Sequence, residues 1–454
     1  MVSPEDFMTR TLKSHPQGSA VARILAASIN AVDPAEAVRK AFSLENGRIV
    51  LRSDSHQPAE NEFENIRRIK VFALGKAAPA MTRALVEILG DKISAGLMVV
   101  KHPDPALPPG FEQIVGGHPI PNQGSLLAGE KVKAFVSGLS PHDLLICLIS
   151  GGGSALLSAP RPGLSLEDLQ ELTGVLLASG ASIDEINTLR RHLDVVKGGG
   201  LARMAFPARV LSLILSDVIG NPLEAIASGP TSQDPTTRFD ALEIIDKYRL
   251  KTKISRSILS CLNDESHETL KPGDPLLNSV RNELVGTNLL AASAGLIQAQ
   301  KEGMNIHYLG GELRGEAREA SAELVRLLRQ VLDTGAPVTR PFCMIAGGET
   351  TVTLRGNGLG GRNQEVALTA VESLAGMENC MLVTLATDGE DGPTDAAGAV
   401  VSNESAQIAH KLGCSAGAYL KNNDSYHFFS QLDDLLLFGP TGTNVNDLNF
   451  LFAF

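Results

Sequence analysis

Six glycine-rich clusters hold most of the side chains in this sequence that could do chemistry. The first is Ala73-Leu74-Gly75-Lys76-Ala77-Ala78, a glycine at the end of an apolar run with a lysine opening the next helical stretch. Free helix N–H groups and an ammonium converge on such a spot, which suits an anion. The upstream glycine and the Ser/Thr of a Walker A loop are missing. Lys76 read alone is equally a solvated helix-start lysine. The second cluster is Ser150-Gly151-Gly152-Gly153-Ser154. Its glycines leave backbone N–H groups open to phosphate or carboxylate oxygens; a flexible strand-to-helix turn is the plainer reading. Leu156 breaks the G-x-S-x-G pattern of a nucleophile elbow.

The third, Asn187 to Gly200, gathers Arg190, Arg191, His192 and Lys197 into a basic island. Lys197-Gly198-Gly199-Gly200 reads as another anion cradle, and an amphipathic helix with a glycine cap fits the same residues. The fourth is Ser216-Asp217 with Ile226-Ala227-Ser228-Gly229-Pro230-Thr231. Asp217 ends a strand, where a general base or Mg²⁺ ligand is expected; an Asx-turn aspartate is the alternative. The fifth, Gly356-Asn357-Gly358-Leu359-Gly360-Gly361, satisfies the dinucleotide pattern G-x-G-x-x-G. The helix after it opens Arg362-Asn363-Gln364-Glu365, polar where close helix–sheet packing wants small or apolar residues. We read these glycines as letting Arg362 and backbone amides approach an anion, with Gly347-Gly348-Glu349 making a polar site on the other side. The sixth places Asp388, Glu390, Asp391 and Asp395 within eight residues. This is a Mg²⁺ or Ca²⁺ site without EF-hand spacing, or an acidic surface turn.

The elements that must position these groups alternate. Val21–Val32 and Ala35–Phe42 carry helical apolar spacing, and residues 46–68 read as a loop or small hairpin. Apolar strands are predicted at Ile69–Leu74, Gly96–Val100, Gln113–Gly116, Asp143–Ile149 and Arg209–Leu215, with helices to about Leu89, over Gly124–Ser137 and over Leu166–Ala178. Such alternation predicts a parallel sheet covered on both faces, with ligands beyond the carboxyl ends of the strands. Asp234–Asp264 is polar and helical. A second run follows: strands Asn282–Leu284, Ile306–Leu309, Phe342–Ala346, Thr351–Leu354 and Met381–Ala386, with helices Thr287–Gly303, Ala317–Leu332 and Asn363–Leu374. The domain boundary is placed at 240/241, with residues 1–60 open to packing on the second domain.

The chain has 454 residues, 43% of them hydrophobic, and a formal charge of −11. It can bury a sizeable core, and so acidic a chain is a poor general nucleic-acid binder. Five widely spaced cysteines without a CxxC pair argue against a zinc knuckle or disulfide framework. The N-terminal stretch has no apolar signal region, and the longest apolar run is too short to span a bilayer. A cytoplasmic protein without nucleic-acid or membrane partners is expected.

These clusters, in this order, resemble the class II D-glycerate 2-kinase family, whose C-terminal module is called MOFRL. The resemblance runs from Ala73–Ala78 through Gly117-His118-Pro119-Ile120-Pro121, Leu148–Ala155, Asn187–Ala202 and Leu215–Val218 to Ala227–Thr231. It continues through Ala346–Thr350, Gly361–Glu365 and Thr387–Asp395 to Gly439–Asp447, covering essentially the whole chain. It implies an α/β fold of two αβα three-layer domains, the first with a doubly wound parallel sheet, the second with a mixed sheet, and the active site in the cleft between them. It implies transfer of the ATP γ-phosphoryl group to the 2-hydroxyl of D-glycerate, with Mg²⁺ or another divalent cation. D-glycerate and ATP are the expected partners of a monomer or homodimer. Some members have carried the label hydroxypyruvate reductase, so an NAD(P)H-dependent reductase is the alternative; a non-catalytic sugar-acid binding protein is a third reading.

The expected catalytic residues are Lys76, Asp217, Arg362 and Asp388, with Asp217 the first choice of base and Asp388 the second. Both aspartates are candidate metal ligands. Arg362 is expected to complete the site when the cleft closes. Which cradle takes which substrate stays open. The working division gives Ser150, Gly152, Gly153, Ser154, Asn187 and Arg190 to glycerate. It gives Lys197, Gly198, Gly199, Gly229, Pro230, Thr231, Gly348 and Glu349 to the nucleotide.

Overall fold

The structure is a computed structural model and describes residues 1–45, 48–52 and 65–454. The chain forms two compact units, Pro34–Val285, and Met1–Asp33 together with Gly286–Phe454. Along the chain, α1 (Arg10–Ser14) and α2 (Gly18–Ala31) come first. The unit from Pro34 opens with α3 (Pro34–Ala41) and a hairpin of β1 (Phe42–Glu45) and β2 (Arg48–Leu51). Then come β3 (Arg68–Leu74), α4 (Ala78–Leu89), β4 (Ile93–Val100), β5 (Phe111–Val115), α5 (Gln123–Val136) and β6 (Asp143–Ile149). They are followed by α6 (Gly153–Leu156), α7 (Leu166–Ala178), α8 (Ile183–Leu193), α9 (Gly200–Ala205) and β7 (Arg209–Leu215). Finally α10 (Arg238–Lys247), α11 (Arg256–Asn263) and β8 (Val280–Gly286) complete this part of the chain.

The sheet order is β5-β4-β3-β6-β7-β8, and the strands from β5 to β7 run parallel. Every residue of β6 is buried, as a parallel strand covered on both faces requires. Phe72, Leu74, Leu97 and Val99 pack with Val132 and Val136 of α5 and Leu201 of α9. Helix α4 packs on β3, β4 and β6. The chain steps outward from β3 through β4 to β5, then returns to lay β6 beside β3. The carboxyl ends of β3 and β6 therefore flank a topological switch point, where open α/β sheets leave a crevice.

The boundary expected at 240/241 falls inside α10. Leu189 and Leu193 of α8 share an apolar cluster with Ala241, Ile245 and Ile258, and β8 lies on the β7 edge of the sheet, so this unit runs on to Val285. Of residues 1–60, Met1–Asp33 group with the later unit and those from Pro34 with the earlier one; part of the expected loop (46–47 and 53–64) lies outside the described residues.

The remainder comprises α12 (Asn288–Lys301), β9 (Asn305–Leu313), α13 (Ala317–Thr334), β10 (Phe342–Gly348), α14 (Arg362–Leu374) and β11 (Cys380–Ala386). After these come β12 (Gly398–Ser402), α15 (Ser405–Lys411), α16 (Ala416–Lys421), α17 (Ser425–Leu432), β13 (Leu435–Leu436) and β14 (Asp447–Ala453). The sheet order is β13-β12-β11-β14-β10-β9; β9 and β10 are parallel and the other pairs antiparallel. This is the mixed sheet that was expected. The last strand is wholly buried between β10 and β11. Its Leu451 and Ala453 join the cluster of α13, α14 and α17, while Phe450 and Phe452 stack in parallel with centroids 6.2 Å apart. No strand forms over Thr351–Leu354, where only Thr351 makes an isolated bridge, to Glu316. Among the described residues no helix is long and apolar enough to cross a membrane.

Candidate active site

At the switch point, Gly75 and Ser150 lock the two strand ends together. Ser150 N–H donates to the Leu74 carbonyl at 2.9 Å, and Lys76 N–H to the Gly151 carbonyl at 3.1 Å. The Ser150 hydroxyl accepts from Ala77 N–H and donates to the Leu74 carbonyl. Ser150 thus braces the turn with its hydroxyl, which corrects the expectation that this side chain binds glycerate. Gly75 has φ +113°, and a Cβ there would strike Ser150, so both geometry and space require glycine. Beyond it, the N–H groups of Gly151, Gly152, Gly153 and Ser154 have no acceptor among the described residues. A Cβ on Gly151 would collide with the Asp217 carboxylate, which lies against this loop at the end of β7. His118 and the Lys76 side chain flank Gly152 within 4 Å of where its Cβ would be. Lys76 is exposed and forms no ion pair among the described residues. Burial lowers the His118 pKa, with Lys76 and Lys101 pushing the same way, so its imidazole stays neutral near pH 7. In the sequence His118 stands out only within the Gly117–Pro121 motif; its place beside Gly152 comes from the fold.

The basic island separates into structural and available charges. Arg191 pairs with buried Asp234 at 3.0 Å, and His192 lies 2.9 Å from the Thr188 carbonyl and 3.0 Å from Glu268. Lys197 Nζ donates to Asp194 at 2.6 Å and to the Leu157 carbonyl at 2.8 Å, fully buried. Gly198 and Gly199 donate their N–H groups to the carbonyls of Ser228 and Gly229. Gly229 donates to Ile226, the Pro230 carbonyl receives Ala202, and the Thr231 hydroxyl is engaged by Ser212 and Asn282. The nucleotide cradle expected from Lys197, Gly198, Gly199, Gly229, Pro230 and Thr231 is corrected in its backbone part: the N–H groups of Gly198, Gly199 and Gly229 tie two turns together and are not open to a phosphate. Lys197, with two protein acceptors for three ammonium hydrogens, lines the slot that Arg190 also lines. Arg190 differs. Among the described residues its one hydrogen-bond partner is the Asn187 carboxamide oxygen at 3.4 Å, and burial lowers its pKa. Arg190 and Ser154 line one apolar slot between α7 and α8, with Leu172, Leu176, Ile186 and Leu189 as walls. The Ser154 hydroxyl also lies 2.8 Å from that of Ser228.

In the unit of Gly286–Phe454, the second cluster forms where β10 and β11 end. Asp447, first residue of β14, is in register with Gly348 on one side and Ala386 on the other. Arg362, first residue of α14, donates from Nε to Asp447 Oδ2 at 2.5 Å and from Nη2 to Oδ1 at 2.9 Å, and its Nη1 lies 3.2 Å from Glu349. Glu349 also accepts from the Asn446 carboxamide at 3.0 Å, and its N–H goes to the Leu313 carbonyl. Burial opposes the Arg362 charge, but the Asp447 pair outweighs it and raises the guanidinium above its ordinary value. Burial pushes the Asp447 carboxyl up to about 6, with Arg362 pulling the other way. Asp391 accepts from the N–H groups of Asn363 and Gln364, capping α14; burial pushes it up to about 7.

The acidic run does not act together. Asp391 caps a helix, Asp395 accepts from the Tyr426 hydroxyl, Glu390 is exposed, and Asp388 sits half-buried beside the 439–441 turn. Among the described residues no three His, Cys, Asp or Glu side chains are grouped to hold a metal ion. The glycines from Gly356 to Gly361 also serve packing. Added Cβ atoms would strike Asn422, Asp424, Ser425 and Asp391, so these positions let the chain lie against the loop between α16 and α17. The N–H groups from Gly356 to Leu359 already have acceptors in Asn422, Asn423 and Asp424, so these four are not open to an anion as the pattern suggests. Thirteen residues separate β10 from α14 and no strand leads into the glycines, so the βαβ context of a dinucleotide fingerprint is missing.

Two family descriptions match the chain: "Domain of unknown function (DUF4147)" over residues 20–263, more than half its length, and "MOFRL family" over residues 342–447. D-glycerate 2-kinase of Thermotoga maritima is 42% identical across 85% of this chain and 90% of its own. The chain belongs to the MOFRL-containing glycerate kinase family. A glycerate kinase crystal structure from the same organism matches with TM-score 0.85 and 39% identity, covering 95% of this chain and 98% of that one. A family relative in Agrobacterium vitis, 40% identical over 84% of this chain and 86% of its own, bears the name putative hydroxypyruvate reductase.

Proposed function

We propose that this chain transfers the γ-phosphoryl group of ATP to the 2-hydroxyl of D-glycerate, giving 2-phosphoglycerate and ADP. The observation that carries the reading is the switch-point loop of a glycerate kinase family member, with amides from Gly151 to Ser154 open beside Lys76, which has no ion-pair partner among the described residues. Phosphoryl transfer asks chiefly for positioning and for charge stabilisation on non-bridging oxygens. Lys76 and the loop amides supply both for a phosphate or carboxylate. Arg190, desolvated and held by Asn187, supplies a second cation for an anionic substrate. Asp217, against the same loop, is the first choice to orient or deprotonate the 2-hydroxyl, with Asp388 the second.

A divalent cation on a nucleotide keeps several waters and takes only one or two carboxylates besides the phosphates. That fits the carboxylates present, of which Asp217 and Asp388 are our candidates. The cation would neutralise charge on the phosphates. The five unpaired cysteines, four of them buried, fit a reducing compartment such as the cytoplasm.

Mixing the enzyme with D-glycerate and MgATP, and separately with hydroxypyruvate and NADH or NADPH, tests the reading. ADP and 2-phosphoglycerate should accumulate in the first mixture. Nicotinamide oxidation in the second, without ADP in the first, would sink it.

A further inference from the structure

Arg362 meets its two carboxylates in different ways. Glu349, with a side chain 45% exposed, touches Nη1 at 3.2 Å. Asp447, 4% exposed, takes the Nε and Nη2 hydrogens in a bidentate fork. Desolvating a carboxylate is costly, so so deep a partner is a poor source of stability compared with an apolar residue. It does fix a direction. A planar guanidinium gripped along its Nε–Nη2 edge cannot swing, and its Nη1–Nη2 edge is left to face outward. The grip is itself held: Asp447 is in register with both flanking strands, and Asp391 pins the first turn of the helix that carries Arg362. On the outward side stands Glu349, half-exposed and also accepting from the Asn446 carboxamide at 3.0 Å.

We propose that Asp447 is a positioning residue for phosphoryl transfer, aiming the outward edge of Arg362 at an anionic oxygen of the reactants, with Glu349 as the partner exchanged when that anion binds. The inference rests on the proposed glycerate kinase activity and on the catalytic role that the family resemblance implies for Arg362. A double-mutant cycle of Asp447→Asn and Arg362→Ala tests it, read as separate kcat and KM values for ATP and D-glycerate. Asn keeps the volume and one acceptor.

Asp447→Asn should lower kcat about tenfold or more, with each KM moved less than about threefold, and should cost nothing further in the Arg362→Ala background. Equal losses in both backgrounds would overturn the positioning role, because Asp447 would then act without Arg362. Wild-type kcat in Asp447→Asn, with Arg362→Ala inactive, overturns it as well and leaves Arg362 standing. Near-wild-type activity in Arg362→Ala would instead remove the reading beneath it. Should Asp447→Asn fail to fold, nitrogen-15 NMR of the wild-type enzyme decides. The Arg362 Nε–H should be protected from exchange, with hindered guanidinium rotation. A freely rotating guanidinium refutes the grip.

Discussion

The switch-point loop and the Arg362 cluster both sit at carboxyl ends of strands, yet they manage charge in opposite ways. Around Gly151–Ser154 the donors are left open: among the described residues the four amides have no acceptor, Lys76 has no ion-pair partner, and Arg190 has one weak partner. Around Arg362 the guanidinium, the N–H groups of Asn363 and Gln364 and the Asn446 carboxamide already have carboxylate partners, and three acidic side chains stand near one cation. An open set of donors costs the empty protein solvation and repulsion and offers affinity. A closed set offers direction. The same division runs through the basic island, where Arg190 is open and Lys197, three residues on from its partner Asp194, is closed.

The sharpest way to break this comparison is Lys76→Ala. With no partner to lose, the fold should be intact while kcat falls about 100-fold or more, as for other groups that stabilise developing charge. Turnover within about threefold of wild type would return Lys76 to the solvated class. Lys197→Met should do the converse. It strands buried Asp194 without its cation, a change that typically costs about 3–5 kcal/mol. Thermal unfolding should show the loss, while kcat per folded molecule stays within about threefold. Unchanged melting with collapsed turnover would move Lys197 into the site. A smaller effect separates pH from fold at Asp391. Its folded pKa, about 7, lies above the ordinary carboxyl value. The native state therefore holds more protons than the unfolded chain, and the contribution of Asp391 is full at low pH and lost as pH rises toward 7. Asp391→Asn should gain stability relative to wild type between pH 4 and 8. A difference that is flat, or of opposite slope, contradicts the burial described here.

Much of the fold was legible because buried parallel strands read as unbroken apolar runs. Asp143–Ile149 and Arg209–Leu215 form strands over the residues predicted. Strand β14 was not predicted, although Leu448–Phe452 is as apolar. It follows no helix and pairs antiparallel, outside the alternation that guided the reading. With it went Asp447, which opens β14 and so falls outside the rule that sites lie at carboxyl ends of strands. Lys76, Gly152, Ser154, Arg190 and Asp217 were legible as a glycine-and-charge pattern at strand ends. Sequence could not tell the open N–H groups of Gly151–Ser154 from the engaged ones of Gly198–Gly199, since that depends on the Ser228–Gly229 turn brought up from thirty residues away.

The unit of Met1–Asp33 and Gly286–Phe454 is sewn from both ends of the chain. Arg10 pairs with Asp434 at 2.6 Å, α2 packs on α12, and the last strand fills the middle of the sheet. During synthesis, Pro34–Val285 has all its strands once residue 286 has emerged. The other unit must keep its first two helices waiting, then gain its central strand last of all. Until then β10 and β11 have no partner between them, and two apolar edges stand exposed. Ribosome-bound chains halted before Asp447 should accordingly be open to protease across Gly286–Ala386 while Pro34–Val285 is already protected.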